Sequence, residues 1–375
     1  MSADGGRTIV SFGNALKDLR SSHGLSLRAL AQRAHYSRSY LHELETGRKP
    51  PTHDVAERLD RVLDAGGRLV AHLSAPIQRL PDWADERVGA VSTGRCRPDP
   101  TVVDQLGQAL AVQRSLEDSV GARAVLLPVL GQISTVQAVR GNADGPLHDE
   151  LLSLESQYAQ FAGWLYQDQA DRSAMAQWYA RALSQATEAC DPSMVASILS
   201  MRSNAAWSAG DHRRAVTLAE ASCRQPATPG TLALSQQQLA RGLAAAGERD
   251  ASLRALDEAE HLLDQARRQP DREPAWIYFH DPVRLQMQRA LCLREAGDHQ
   301  AAIGLVEAGL RDLPASYTRD RGSYLARLAV TYALSGERDG ARATAAQARV
   351  LAEATGSTRT LAEIALAVRL ADPVA

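Results

Sequence analysis

The sequence predicts an all-α protein, a small five-helix bundle followed by a long α-solenoid of paired helices. Three observations carry that expectation. Aromatic residues make up 5% of the 375 positions and β-branched runs are few, which argues against a sheet-rich fold, while a 45% apolar content supports buried cores. Between Leu25 and Pro50, the apolar positions Leu27, Leu30, Ala31 and Ala34, then Leu41 and Leu44, fall at helical intervals on either side of a very short turn. Beyond about residue 100, a polar turn built on a small residue, glycine and an acid recurs among alanine- and leucine-rich segments. A chain of this length accommodates two or three domain-sized cores.

The first helix carries Phe12, Leu16 and Leu19 on one face and ends near His23 and Gly24. Ser26 and Ser37 stand where a side-chain oxygen caps the amides of the second and third helices. Gly47 stops the third helix, and Pro50 and Pro51 prevent its resumption. A fourth helix runs from about Thr52 to Ala65 with Val55, Leu59 and Val62 or Leu63 inward. Gly66 and Gly67 end it, and Arg68 to Leu73 form a short fifth element. Two capped helices flanking His35 and Tyr36 with almost no linker have the geometry that seats one helix in a DNA major groove.

Residues 74–100, with Pro76, Pro81, Gly89, Gly94, Pro98 and Pro100, read as a junction in which Trp83 is a candidate anchor. The chain is helical in pattern over 101–372. The turn Ala209-Gly-Asp-His-Arg-Arg-Ala215 returns as Ala246-Gly-Glu-Arg-Asp-Ala251, Ala296-Gly-Asp-His-Gln-Ala301 and Ser335-Gly-Glu-Arg-Asp-Gly-Ala341, with a degenerate copy from Asp168 to Ala174. Its glycines, 210, 247, 297 and 336, are separated by 37, 50 and 39 residues. The glycine ends one helix and the following carboxylate favours the start of the next. Four or five helix pairs are expected from about residue 145 onward.

Over roughly residues 10–73, the pattern Leu25-Ser26, Leu30-Ala31, Ala34, Ser37-Arg-Ser and Leu44-Glu45-x-Gly47-Arg48-x-Pro50 resembles the phage-repressor-like helix-turn-helix class, the XRE or Cro-CI type of bacterial regulator. The resemblance implies a structural ion pair between Arg20 and Glu45, and base reading from Arg38, Ser39 and Glu43. Arginine bridges guanine O6 and N7 with two hydrogen bonds, and a glutamate accepts from cytosine N4. His42, one turn on, is placed to reach a base or the backbone, and is grouped with the base-reading set. Arg28, Arg48 and Lys49 flank the recognition helix as phosphate contacts, and Tyr40 either joins them at a sugar or packs inside. Where many members of that class carry a glutamine at the first turn of the second helix, Leu27 stands here, which shifts weight to Arg28.

The repeating turns resemble those of tetratricopeptide-like helix pairs, lengthened from the usual ~34 residues. That resemblance implies a curved solenoid whose concave wall comes from the first helix of each pair. Ser200, Asn204, Trp207, Gln237, Arg241, Arg284 and Arg294 then fall on the wall. In peptide-reading members an asparagine there holds the ligand backbone, the place Asn204 matches. The 50-residue interval contains Arg267-Arg-Gln-Pro-Asp-Arg-Glu-Pro-Ala-Trp-Ile-Tyr-Phe-His-Asp-Pro282, the strongest aromatic concentration in the chain. Trp276, Tyr278 and Phe279 either clamp a ligand over the groove or plug a gap made by the longer repeat.

The charge is unevenly distributed. Residues 1–75 hold 11 Lys and Arg against 8 Asp and Glu, the remainder 31 against 36. A mildly basic head on an acidic body suits a chain that offers one patch to phosphate. Cys96, Cys190, Cys223 and Cys292 are too scattered for a zinc site and read as buried structural thiols in a reducing compartment. No apolar run approaches the roughly 20 residues of a membrane span, and no signal-peptide core opens the chain. Phosphate loops, dinucleotide loops, HExxH and GxSxG are absent, and His148-Asp149-Glu150 and His280-Asp281 lack partners at metal-binding offsets. The expectation is a cytoplasmic bacterial transcription regulator without enzyme activity, cofactor or metal, with a homodimeric, effector-sensing body and a double-stranded DNA operator as partner. The alternative is a DNA-anchored scaffold whose solenoid recruits a protein. An antitoxin suits the head but not so long a body.

Overall fold

The computed structural model describes residues 12–47, 49, 51, 53–71, 88–313 and 317–372. The described residues are helical, with no strand among them. The head comprises α1 (Phe12–Ser22), α2 (Leu27–Ala34), α3 (Arg38–Glu45), α4 (His53–Val62) and α5 (Arg68–Ala71). Ser26 Oγ accepts from the Ala29 amide and Ser37 Oγ from the Tyr40 amide, both at 3.1 Å, so both expected caps form. His35, in left-handed conformation, makes the tight turn between α2 and α3. Leu16, Leu30, Leu41, Leu44, Leu59 and Leu69 build the head's core, and at the end of α4 it is Leu63 rather than Val62 that is fully buried. Asp60 receives the amides of Leu69 and Val70 and thereby ties α5 to α4.

The body opens with α6 (Pro100–Val120) and α7 (Ala122–Arg140), an antiparallel hairpin turned at Gly121. Among the described residues five helix pairs follow. They are α8 (Pro146–Asp168) with α9 (Arg172–Glu188), α10 (Pro192–Ser208) with α11 (His212–Cys223), and α12 (Pro229–Ala245) with α13 (Arg249–Arg268). The fourth and fifth are α14 (Pro282–Glu295) with α15 (His299–Asp312), and α16 (Thr318–Leu334) with α17 (Arg338–Thr355), before a closing helix, α18 (Thr358–Ala371).

The recurring turn has one physical form. Gly210, Gly247, Gly297 and Gly336 take φ between 79 and 87°, a conformation that glycine alone adopts without strain, and Ala170 fills the same place in the degenerate copy. The acidic residue after each then donates its amide to the carbonyl five residues back, as in Asp211 to Ala206 and Asp298 to Leu293. Asp171, Asp211 and Asp298 also cap the next helix through their side chains, whereas the longer Glu248 and Glu337 make no such bond.

The solenoid curls until its ends meet. Asp168, at the end of α8, accepts from Ser357 Oγ, and its carbonyl accepts from Thr358 Oγ1. On α6, Asp118 pairs with Arg319 of α16 at 3.0 Å. Gly121 lies so close to the end of α17 that an added Cβ would stand 2.0 Å from the Thr355 carbonyl oxygen. The expected concave wall therefore surrounds a central cavity that keeps a mouth to solvent.

Two expectations need correction. Ala122–Arg140 forms a 19-residue helix with a stretch of mean hydropathy 1.3, long and apolar enough to cross a membrane by length and composition. Its Val125, Val129, Ile133, Val136 and Val139 are buried in the core shared with α6 and α8, while Leu127, facing outward, is 77% exposed. Of the thiols only Cys292 is buried. Cys96 and Cys190 are exposed, Cys223 is half-buried, and all four are free.

Candidate functional site

On α3, Leu41 and Leu44 point into the core, and Arg38, Ser39 and His42 are exposed on the opposite side, with Glu43 half-buried beside them. Arg28 is exposed on α2. Among the described residues nothing covers this face. Arg20 reaches Glu45 through Nε at 2.5 Å and Nη2 at 3.1 Å, and its Nη1 donates to the Leu25 carbonyl. That fork fastens the end of α3 to α1 and orients the exposed face.

Two expected backbone contacts lie elsewhere. Tyr40 is fully buried, edge-on to Tyr36 at 5.2 Å, and burial drives its phenol pKa well up, so it belongs to the core and does not reach a phosphate. Lys49 stands over the Tyr40 ring at 5.2 Å and is buried against the body. Its ammonium donates to the carbonyls of Pro270, at 2.9 Å, and of Glu273. Burial lowers its pKa although three nearby acids favour the charge. Gln108 of α6 adds a bond to the Thr46 carbonyl. Arg48 lies outside the described residues.

The interior of the curled solenoid holds a cavity of about 160 Å³ that opens to solvent. Its wall comes from the first helix of each pair, closed by α6, α18 and the segment 276–280. Asn204, Gln237, Arg241, Arg284, Trp276 and Tyr278 of the expected groove set all line it. Trp207 is not part of the lining; its ring centroid lies 4.0 Å from the Arg241 guanidinium carbon. Ser200 is instead buried among Ser222 and Ser235, where small hydroxyls let helices approach closely, and Arg294 pairs with Glu295 and Glu363 away from the lining.

One register organises the wall. The residues nine before each turn glycine are Met201, Gln238, Gln288 and Arg327, and those thirteen before are Ser197, Leu234, Arg284 and Ser323; all eight line the cavity. Positions four apart share one helix face. That signal was present in the sequence, and it identifies Arg327, which the motif projection missed.

At one end the polar groups neutralise one another. Arg284 bonds Asp320 through Nε at 2.9 Å and the Phe279 carbonyl through Nη1 at 2.7 Å. Arg319 meets Glu117, Asp118 and Asp320 within 3.0 Å. Tyr278 donates to Asp118 at 2.8 Å. Burial opposes the charge on Asp320, yet Arg319 and Arg284 hold its pKa down to about 2. Burial wins at Glu117, raising its pKa to about 8 against the pull of Arg319.

Elsewhere the lining is made of amides and aromatic surface. Asn204 Oδ1 accepts from Gln167, whose own oxygen accepts from Tyr179. Burial lowers the His280 pKa to about 4. The neutral ring places its Nε2 3.0 Å from Gln237 Oε1, a geometry that assigns the proton to Nε2. Arg359, paired with Asp168, also lines the cavity, and Arg114, Arg241 and Arg327 do so without a close acid of their own; burial lowers the pKa of all three, to about 10 for Arg114 and about 9 for Arg241. Among the described residues, no group of three or more His, Cys, Asp or Glu is placed to hold a metal ion.

Residues 11–73 match a family described as a helix-turn-helix domain. No curated protein matches the chain. Solved structures similar to it include a Rap protein complexed with competence and sporulation factor, at 12% identity over 90% of this chain and 80% of that one, with a TM-score of 0.48. Bacillus thuringiensis PlcR in complex with the peptide PapR7 and DNA is 14% identical over 80% and 95%, with a TM-score of 0.32. Aspartyl phosphate phosphatase F from Bacillus subtilis is 13% identical over 99% and 82%, with a TM-score of 0.37. The chain thus combines a helix-turn-helix domain with a body of repeated helix pairs.

Proposed function

We propose that the chain is a sequence-specific, DNA-binding transcription regulator, acting in the cytoplasm as a homodimer, whose body senses a peptide or small metabolite in the central cavity. One observation carries the reading. Lys49, just after the recognition helix, is gripped by the carbonyls of the segment 270–273, and that segment runs directly into Trp276, Tyr278 and His280, which roof the cavity. An occupant pressing on the roof is thereby one short stretch of backbone from the head. A signal acts only through unequal affinity for two states, and a head held or released by this contact supplies two such states.

In this reading Arg38, Ser39, His42 and Glu43 meet base edges and Arg28 meets phosphate. Two heads related by a two-fold axis meet half-sites about one helical turn, ~34 Å, apart or a multiple of it. A groove open at both ends would favour the scaffold alternative; contacts from Asp168 to Ser357 and from Asp118 to Arg319, which join the two ends of the solenoid, support the pocket reading instead. No catalytic step is part of the reading.

The test is selection of genomic DNA fragments by the purified protein at about 150 mM salt, where non-specific phosphate contacts are weakened, with and without extract of its own cells. A palindromic site whose occupancy changes with extract is the expected result. Absence of any enriched site in both conditions refutes the regulator reading.

A further inference from the structure

Three arginines of the cavity lining, Arg114, Arg241 and Arg327, have no carboxylate closer than 4.0 Å among the described residues; Arg114 donates to the Gln157 carbonyl and lies over Phe161, and the other two lie within each other's field at the opposite end. Arg284 and Arg319 each have carboxylates within 3.0 Å, although Arg284 Nη2 and Arg319 Nε meet theirs as ion pairs without hydrogen-bond geometry, and Arg140 and Arg181 share the buried Glu155. Arg241, by contrast, is 2% exposed, and among the described residues its one hydrogen bond runs from Nη1 to the neutral Gln238 at 3.2 Å. Its Nε and Nη2 donors are buried without a partner. Arg327 likewise buries Nε and Nη1 without a hydrogen bond. The one carboxylate near it, Glu363 at 4.0 Å, is already engaged by Arg294 at 3.1 Å.

A buried donor left unpaired costs about 1–3 kcal/mol, more on a charged group. A buried cation without a counter-ion is more costly still. Arg241, Arg327 and Arg359 of the lining, with Arg294 beside them, face Glu363, Glu295 and Asp168, four positive charges against three negative, which leaves one positive charge over at this end of the cavity. Stacking on Trp207 fixes the Arg241 fork in place.

We infer that this end of the cavity is a carboxylate subsite, in which Arg241 and Arg327 receive the single negative charge of a ligand whose apolar body lies against Leu234, Met201 and Trp276. A monoanion balances the count, and a guanidinium fork matches a carboxylate with two parallel hydrogen bonds. The ligand class is a compact carboxylic acid with an aromatic or aliphatic body, a free peptide C-terminus included. The inference deepens the effector reading of the cavity and rests on it.

Titration of the ligand-free full-length chain, followed through tryptophan fluorescence, tests it. The probes are phenylacetate against phenylacetamide, the dipeptide glycyl-phenylalanine against its C-terminal amide, and inorganic phosphate. Each carboxylate should bind roughly tenfold or more tightly than its amide. Arg241→Gln should abolish that preference, and Arg327→Gln, a second variant in case the first unfolds, should reduce it. Saturation by neither carboxylate, equal affinity of acid and amide, or a preference surviving in both variants overturns the inference. Phosphate displacing both carboxylates overturns the carboxylate assignment. DNA-fragment selection by the same preparations separates the two readings: an operator selected without any carboxylate preference retires the subsite alone, and no operator retires the regulator.

Discussion

Replacing Arg241 by methionine should make the ligand-free protein more stable, although it removes a buried, stacked side chain. Burial brings the Arg241 pKa down to about 9, against an ordinary guanidinium value above ~12. At ~1.36 kcal/mol per pH unit the charge costs the folded state on the order of 4–5 kcal/mol. The sign follows from a folded pKa lying below the unfolded one. The cost is complete at every pH below about 9 and is relieved only as pH rises from there towards the unfolded value. Methionine keeps most of the volume and none of the charge. It forfeits the stack on Trp207, worth about 0.5–2 kcal/mol, and the bond to Gln238, worth about 1.5–3 kcal/mol. The losses together take back about 2–5 kcal/mol, so the net should centre on a gain of about 1 kcal/mol with an upper end of ~3, the direction seen when buried ions are replaced by apolar residues. Urea unfolding of protein stripped of ligand by denaturation and refolding measures it. The gain should hold across pH 6 to 8 and shrink when a binding carboxylate is added to both proteins. A clear loss of stability in ligand-free Arg241→Met would mean that the guanidinium is already compensated inside the fold, and the argument for a missing anion would fail.

Other expectations are independent of that one. Gly121→Ala must move the Thr355 carbonyl while taking a φ of 85°, so it should cost about 2–4 kcal/mol in urea unfolding and raise hydrogen exchange where α6 and α7 meet α17. Glu45→Gln leaves Arg20 its bond to the Leu25 carbonyl but removes the charged fork, a loss of about 1.5–3 kcal/mol, visible as faster exchange in α1 and α3. His280, neutral in the fold with a pKa of about 4, contributes stability that is complete above the unfolded value near ~6.5 and is lost as pH falls towards 4. The wild type should therefore lose about 2 kcal/mol more than His280→Gln between pH 6.5 and 5, and parallel acid profiles would exclude the assignment. Lys49→Met leaves the carbonyls of Pro270 and Glu273 without their donor, and exchange across 269–281 should rise with no change in α15.

What the sequence made legible is what is local. Ser26, Ser37 and the turn glycines act through bonds spanning three to six residues, so cap, stop and register can be read directly, and the helices follow. Asn204, Gln237, Arg241 and Arg284 were likewise found because a repeat places equivalent residues on one wall. Glu117 and Asp118 of α6 lie outside the repeat, and nothing near them in sequence marks them as part of the lining. They enter it because the superhelix curls through a full set of pairs, a long-range outcome of many small inter-helix angles. Tyr40 and Lys49 fail for a related reason. A helical wheel cannot distinguish an aromatic beside the core from one beside DNA, and Lys49 meets a partner more than two hundred residues away.

The lengthened repeat shows how the two readings of its aromatic segment merge. An insertion between α13 and α14 leaves a gap in the wall, and Trp276 and Ile277 fill it with buried apolar surface, as a plug would. A plug needs no polar reach, yet Tyr278 extends to Asp118, His280 to Gln237, and the Phe279 carbonyl to Arg284, so the segment is bonded to three walls at once. On its outer side the same segment offers the Pro270 and Glu273 carbonyls to Lys49. A purely structural filler would be indifferent to what occupies the cavity. This one cannot shift against an occupant without disturbing bonds to α6, α12 and α14 and, through the backbone, the grip on the head. Under the proposed function, that asymmetry makes the insertion, more than the regular repeats around it, the place where ligand and DNA binding would meet.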